Sequence, residues 1–210
     1  MKKITGFAVA ALAASLIAAP ASAADEIVLG LNMAKTGFLK SSGETTETAV
    51  DIAVAEINAA GGIGGKMIKV VKFDTGSDAK QAAVATRKLA EDDHALAIIG
   101  PFSSGEARVA FAIGERLGIV QIPNAASTPG LAKGNSFAFR VTEDEGKQFN
   151  RMLTSLKRKG IPADTAAIMY ESDQFVSKAV GTLIMPGSFA AVGIKVLGEP
   201  EGFPQNAFDL

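Results

Sequence analysis

Short apolar runs alternate with longer stretches of helical spacing along most of this chain. Residues 27–31 form a continuous apolar run of strand length, and residues 67–73, 95–100, 119–122 and 137–141 repeat the pattern. Helical segments separate the first four. Residues 44–60 place Ala49, Ile52, Ala53, Glu56 and Ile57 at three-to-four spacing, and the glycines of Gly61-Gly-Ile-Gly-Gly65 end that helix. Ser77 or Asp78 caps a second helix running to Glu91, with Ala82, Ala85 and Leu89 on one face, and a third spans 103–117. After Val141 the same alternation predicts a helix over 143–159, a strand over 165–170, a helix over 175–192 and a strand over 194–197. The third of these should break near Met185-Pro-Gly187, and the tail from Glu199 has no clear periodicity.

Strands that are apolar throughout, interleaved with helices, describe parallel sheets covered on both faces, an α/β architecture. The chain divides at Val141–Gly146 into two βα series. This predicts a first unit over 24–142 and a second over 143–210.

Residues 1–23 have a different character. Lys2 and Lys3 precede an uncharged, alanine-rich run that Pro20 breaks, and Ala21-Ser-Ala23 has the small-x-small form of a cleavage site. This predicts a cleavable secretory signal peptide, because alanine-rich apolar runs are too weakly hydrophobic for a stable membrane span.

Composition then narrows the chemistry. The 210 residues contain no cysteine and one histidine, His94, which excludes thiol catalysis, cysteine metal sites and histidine pairs. An exported chain without cysteine relies on its core for stability. A formal net charge of −1 argues against a nucleic-acid-binding face. No GxSxG elbow or complete phosphate loop is present, since Met67 follows Lys66, and no motif calls for a cofactor.

Two loops carry the candidate chemistry. In Ile98-Ile-Gly-Pro-Phe-Ser-Ser-Gly-Glu106 an apolar strand turns into a helix through Phe102, Ser103 and Ser104. Ligands of open α/β sheets bind beyond the carboxyl ends of strands, and a helix N-terminus suits a carboxylate or phosphate. Ile122-Pro-Asn-Ala-Ala-Ser-Thr-Pro129 is also a small-residue loop after a strand. Its carbonyls suit an ammonium group, and Ser127 or Thr128 suits a carboxylate. Adjacent parallel strands would set the two loops side by side. Each also has a plain structural reading, as a serine N-cap and as a turn-stabilised loop.

Several of these segments resemble a known family, the type I periplasmic solute-binding proteins of ABC importers, in the branched-chain amino-acid (Leu/Ile/Val) group. The resemblance rests on Ala53-Val-Ala-Glu-Ile-Asn-Ala-Ala-Gly-Gly-Ile-Gly-Gly65, Ile99-Gly-Pro-Phe-Ser-Ser104, Pro123-Asn-Ala-Ala-Ser-Thr-Pro129, Phe139-Arg-Val-Thr142 and Ala167-Ile-Met-Tyr170 leading to Phe175, and covers 24–210. It implies two α/β lobes that close on a solute, a first ligand-binding lobe over 24–142 and a second over 143–210 that is only partial beside the longer relatives, a periplasmic location, a non-enzymatic monomer and a permease partner in the inner membrane. By the same resemblance, Ser103 and Ser104 face the solute carboxylate, and Ala125, Ala126 and Ser127 hold its ammonium and carboxylate. Phe175 covers the solute from the second lobe. Ser42 stands where many relatives carry an aromatic residue before Gly43, which leaves a smaller, more polar or larger aromatic solute open. The alternatives are the sensory domain of a receptor, an exported α/β enzyme, or a fragment without its own function.

Overall fold

A computed structural model describes residues 26–205. The predicted signal peptide lies outside the described residues. The first lobe is built on a four-stranded parallel sheet of β1 (Ile27–Met33), β2 (Ile68–Asp74), β3 (Ala97–Ile99) and β4 (Val120–Ile122), in the order β2-β1-β3-β4. Helices α1 (Lys40–Ala59), α2 (Ala79–Glu91) and α3 (Ser104–Leu117) connect the strands. β1 is central because its last four residues, Gly30–Met33, are buried and it pairs on both edges, Leu29 opposite Val70 and opposite Ala97.

Local sequence explains the helix boundaries. Asp78 caps α2 by accepting from the amides of Lys80 and Gln81. α3 ends at Gly118, whose φ of 68° lies in the left-handed region that favours glycine. Between the sheet and α2, Leu89, Ala95, Ile98 and Ile119 form a dry core. A polar seam crosses it: Asn32 Nδ2 donates to the Ala82 carbonyl (3.0 Å), and Gln121 Nε2 donates to the Ala110 carbonyl (2.8 Å). Both side chains are buried; these bonds satisfy their donor ends, while Asn32 Oδ1 has no partner among the described residues.

The expected strand at 137–141 is reduced to a single parallel bridge between Gln121 and Ala138. Gln121 bonds to it on both sides, through Phe137 O and the Phe139 amide, but Arg140 then turns away to donate to the Thr128 carbonyl. The first helix begins at Lys40, one turn earlier than its apolar spacing indicates, so Ser42 and Gly43 are helical rather than in a loop.

The second lobe begins with α4 (Glu145–Arg158), capped by Asp144. The run at 165–170 divides into β5 (Thr165–Ala166) and β6 (Met169–Glu171). These pair in parallel with β7 (Lys195–Val196) and β8 (Glu201–Phe203) respectively, so the tail without periodicity supplies a strand. Helices α5 (Phe175–Ala179) and α6 (Met185–Ala191) are joined by a π turn over Val180–Ile184. The expected break thus falls just before Pro186, which offers no amide to the preceding turn. Leu153, Ile168 and Phe189 form the core of this lobe, with Phe149 edge-on to Phe189 at 5.3 Å.

Candidate functional site

The register Ile99 opposite Ile122 brings the ends of β3 and β4 together, and the Gly100 amide donates to the Ile122 carbonyl. The loops that follow therefore lie side by side at the carboxyl edge of the sheet. Ser104 joins them. Its hydroxyl oxygen accepts from the amides of Ser127 (3.1 Å) and Thr128 (3.2 Å), and the residue is buried. Ala126 is also buried, packed on Ala107, Phe111 and Ala138. Ala125 and Ser127 are half-buried. On the far side, Asn124 Nδ2 donates to Thr46 Oγ1 of α1.

Ser103 caps α3 in a reciprocal box with Glu106. Its hydroxyl donates to Glu106 Oε2 (2.7 Å), its amide reaches the same oxygen (3.2 Å), and the hydroxyl oxygen accepts from the Glu106 amide. Thr75 Oγ1 donates to the other carboxylate oxygen at 2.6 Å. Glu106 is buried, so an internal carboxylate already occupies the helix end.

A second carboxylate organises the neighbouring loops. Asp74, at the end of β2, accepts from the amides of Lys35, Thr36 and Gly76 and from the Thr36 hydroxyl. Burial pushes its pKa up, but the combined donors outweigh this and hold it below the usual value.

The hinge hangs from the second loop. Thr142 Oγ1 donates to the Ala126 carbonyl, the Glu145 amide to the Ser127 carbonyl, and Arg140 to the Thr128 carbonyl. Burial raises the pKa of Glu145; a Ser127 hydrogen bond opposes the rise and the Asp144 charge adds to it.

Across from α3, the second lobe presents Asp173, Gln174 and Phe175. With Phe38, Ser103, Glu106 and Arg108 they line an open cavity of about 300 Å³. Arg108 lies over the Phe175 ring at 5.1 Å, a cation–π contact between the lobes. Of the residues expected at the site, Ser103 and Phe175 line this cavity. Ser42, Phe102, Ser104, Ala125, Ala126 and Ser127 do not. Arg108 and Phe38 were not anticipated from the sequence. Arg108 is exposed whereas Ser104 is buried, so the serine pair gave no signal for it; it lies three residues after Gly105, which also lines the cavity.

Among the described residues, no group of acidic or histidine side chains is arranged to hold a metal ion, and no helix is long and apolar enough to cross a membrane.

The periplasmic binding protein family matches residues 26–207. Leu/Ile/Val-binding protein homolog 7 of Brucella abortus is 38% identical over 161 residues, covering 76% of this chain and 39% of that protein. The branched-chain amino acid transporter substrate binding protein LivJ from Streptococcus pneumoniae, solved with isoleucine, superposes with a TM-score of 0.78 at 28% identity. That match covers 88% of this chain and 51% of that one. A solute binding protein of an ABC transporter from Rhodopseudomonas palustris, solved with 3,4-dihydroxy benzoic acid, has a TM-score of 0.75 at 18% identity, covering 86% of this chain and 48% of that one. It shares the fold. The chain thus spans about half the length, or less, of the relatives it matches. With its parallel first-lobe sheet, crossing hinge and interlobe cavity, the chain belongs to the type I periplasmic binding protein family, in the branched-chain amino-acid transporter group.

Proposed function

We propose that this protein, exported through the signal at residues 1–23, captures an amino acid or related small carboxylate between its two lobes and delivers it to an ABC permease. The observation that supports this most is the lining of one open cavity by α3 of the first lobe and the start of α5 in the second, bridged by Arg108 and Phe175. A cleft with walls on separate lobes converts solute contact into lobe closure, and closure shifts the population toward the form a permease would recognise. Ser42, Phe102, Ala125 and Ser127 lie outside that cavity's lining and would reach the solute only from the loops and helix end beside it, while Ser104 and Ala126 fix the loop that carries Ala125 and Ser127. The role is binding rather than catalysis, and the working unit is a monomer.

A second solute class has its own support. Phe38 is 51% exposed and Phe175 is 40% exposed, so two partly exposed aromatic side chains line the cavity, one of them stacked by Arg108. These suit an aromatic carboxylate as well as a branched aliphatic amino acid. Calorimetric titration against a panel of amino acids and aromatic acids tests both. Binding of one panel member with a raised melting temperature supports the proposal. Binding confined to sugars or other uncharged solutes overturns it. Intrinsic tryptophan emission is not a readout, because the chain has no tryptophan.

A further inference from the structure

Phe175 and Phe189 lie fourteen positions apart, near the two ends of the segment that runs from α5 through the π turn to α6. Fourteen residues fall just short of four turns of α-helix, so an unbroken helix would point both rings to one side, about 40° apart. Phe189 does face the core, 8% exposed beside Leu153 and Ile168. Phe175 does not. It is 40% exposed, and its β-carbon faces Gly105 of α3, where a β-carbon added to that glycine would lie 3.6 Å away.

The π turn accounts for the difference. It carries one residue more than the α turn it replaces, which takes about 100° out of the rotation between its two ends. That adds to the existing shortfall and sets the two rings about 140° apart, so one enters the second lobe and the other leaves it. Two residues hold the turn in place. The Met185 amide donates to the Val180 carbonyl five positions back, and Pro186 follows with no amide to give. In an unbroken α-helix its ring would meet the Thr182 carbonyl, four residues earlier. Gly181 is buried, and a β-carbon there would lie 2.6 Å from the Tyr170 β-carbon, so the turn seats on β6 only through a glycine.

We propose that the π turn over Val180–Ile184 aims Phe175 out of the second lobe's core and toward the solute, with Gly181 and Pro186 as its positioning residues. This rests on the solute-binding reading above, in which Phe175 covers the solute from the second lobe, and adds what directs the ring there. The extra residue gives the cleft an aromatic side chain that α-helical spacing would have buried beside Phe189.

NMR and calorimetry on the purified chain test this. Ring currents from Phe175 should displace the Gly105 amide and α-proton resonances, a displacement lost in Phe175→Ala. Pro186→Ala lets the helix run unbroken and should lose it as well. Deleting Leu183, 78% exposed on the turn, from Pro186→Ala leaves one α-helical step fewer between the rings and should restore it. Isoleucine and 4-hydroxybenzoate are the solute probes. Whichever binds should weaken about tenfold in Phe175→Ala and in Pro186→Ala, no further when the two are combined, and recover to within about threefold in the deletion variant. Gly105 resonances or solute affinity in Pro186→Ala matching the unaltered protein overturn the proposal, as does a deletion that leaves Phe175 turned away. Additive losses in the double variant overturn it too, because Pro186 then acts elsewhere than through Phe175. Binding of neither probe overturns the solute-binding reading alone, and the Gly105 resonances still decide where Phe175 points.

Discussion

Glu106 and Ser103 show how much a single hydrogen-bond pattern decides at this site. Loss of the cap in Ser103→Ala should destabilise the protein by about 1 kcal/mol. Glu106→Ala should cost about 2–3 kcal/mol, because Thr75 and Ser103 lose their charged acceptor within a buried cluster. Urea denaturation measures both, and equal effects would argue against the cluster. The two perturbed carboxylates predict opposite pH behaviour. Asp74 is held below its ordinary pKa by the Gly76, Lys35 and Thr36 donors against the opposing effect of burial. Its contribution is present above the unfolded pKa and is lost as pH falls through the folded value. Glu145 is raised by burial, so its contribution is full below the unfolded pKa and is lost as pH rises through the raised folded value. Denaturation midpoints followed from acid to neutral pH should therefore diverge. Asp74→Asn should lose most of its destabilising effect in acid, whereas Glu145→Gln should remove a decline of stability between mildly acidic and neutral pH. A Glu145→Gln profile parallel to the unaltered protein would contradict the burial argument.

At the level of elements, the sequence made the strand–helix alternation legible because each first-lobe strand is apolar enough to announce a buried sheet. The adjacency of the two small-residue loops also followed, since neighbouring parallel strands must end together. What it did not disclose depends on partners distant in the chain. α1 starts at Lys40 because the Leu39 amide donates to Ser77 Oγ, a contact between loops that follow different strands. β8 carries no alternation of its own and exists through pairing with β6. The candidate site divides the same way. Ser103 was visible as a cap or a ligand group, but its commitment to Glu106 required Thr75, thirty-one positions away from the glutamate, to complete the cluster. Gly43 is another such case. A β-carbon there would overlap the Ala34 carbonyl oxygen, because the first turn of α1 crosses the end of β1 at close range. Gly43→Ala should destabilise by about 3 kcal/mol or more, with backbone on the other side of the clash and no side chain able to move aside. A melting temperature equal to that of the unaltered protein would show that α1 starts elsewhere.

For the whole molecule, the two lobes differ in how much they bury. The first sets seven-residue strands β1 and β2 beside β3 and β4 and closes Leu31, Met33, Leu89 and Ile98 away from water. The second has two separate two-stranded sheets, and its Leu183 is 78% exposed on the π turn. Local stability follows buried apolar contact, so opening should be cheapest where that contact is sparse. Hydrogen exchange should find β1 and β3 protected to near the global unfolding free energy, and residues 175–184 exchanging first. The Arg108–Phe175 contact ties this weak segment to the strong lobe, because Phe175 opens α5 and Arg108 lies on α3. Arg108→Gln should then speed exchange at 175–184 while leaving β1 unchanged. A solute bound in the cavity between the lobes should slow exchange at 175–184, and less so in the variant. Uniform protection of both lobes by the solute, undiminished in Arg108→Gln, would mean that the lobes are coupled through the hinge bonds of Arg140, Thr142 and Glu145 instead.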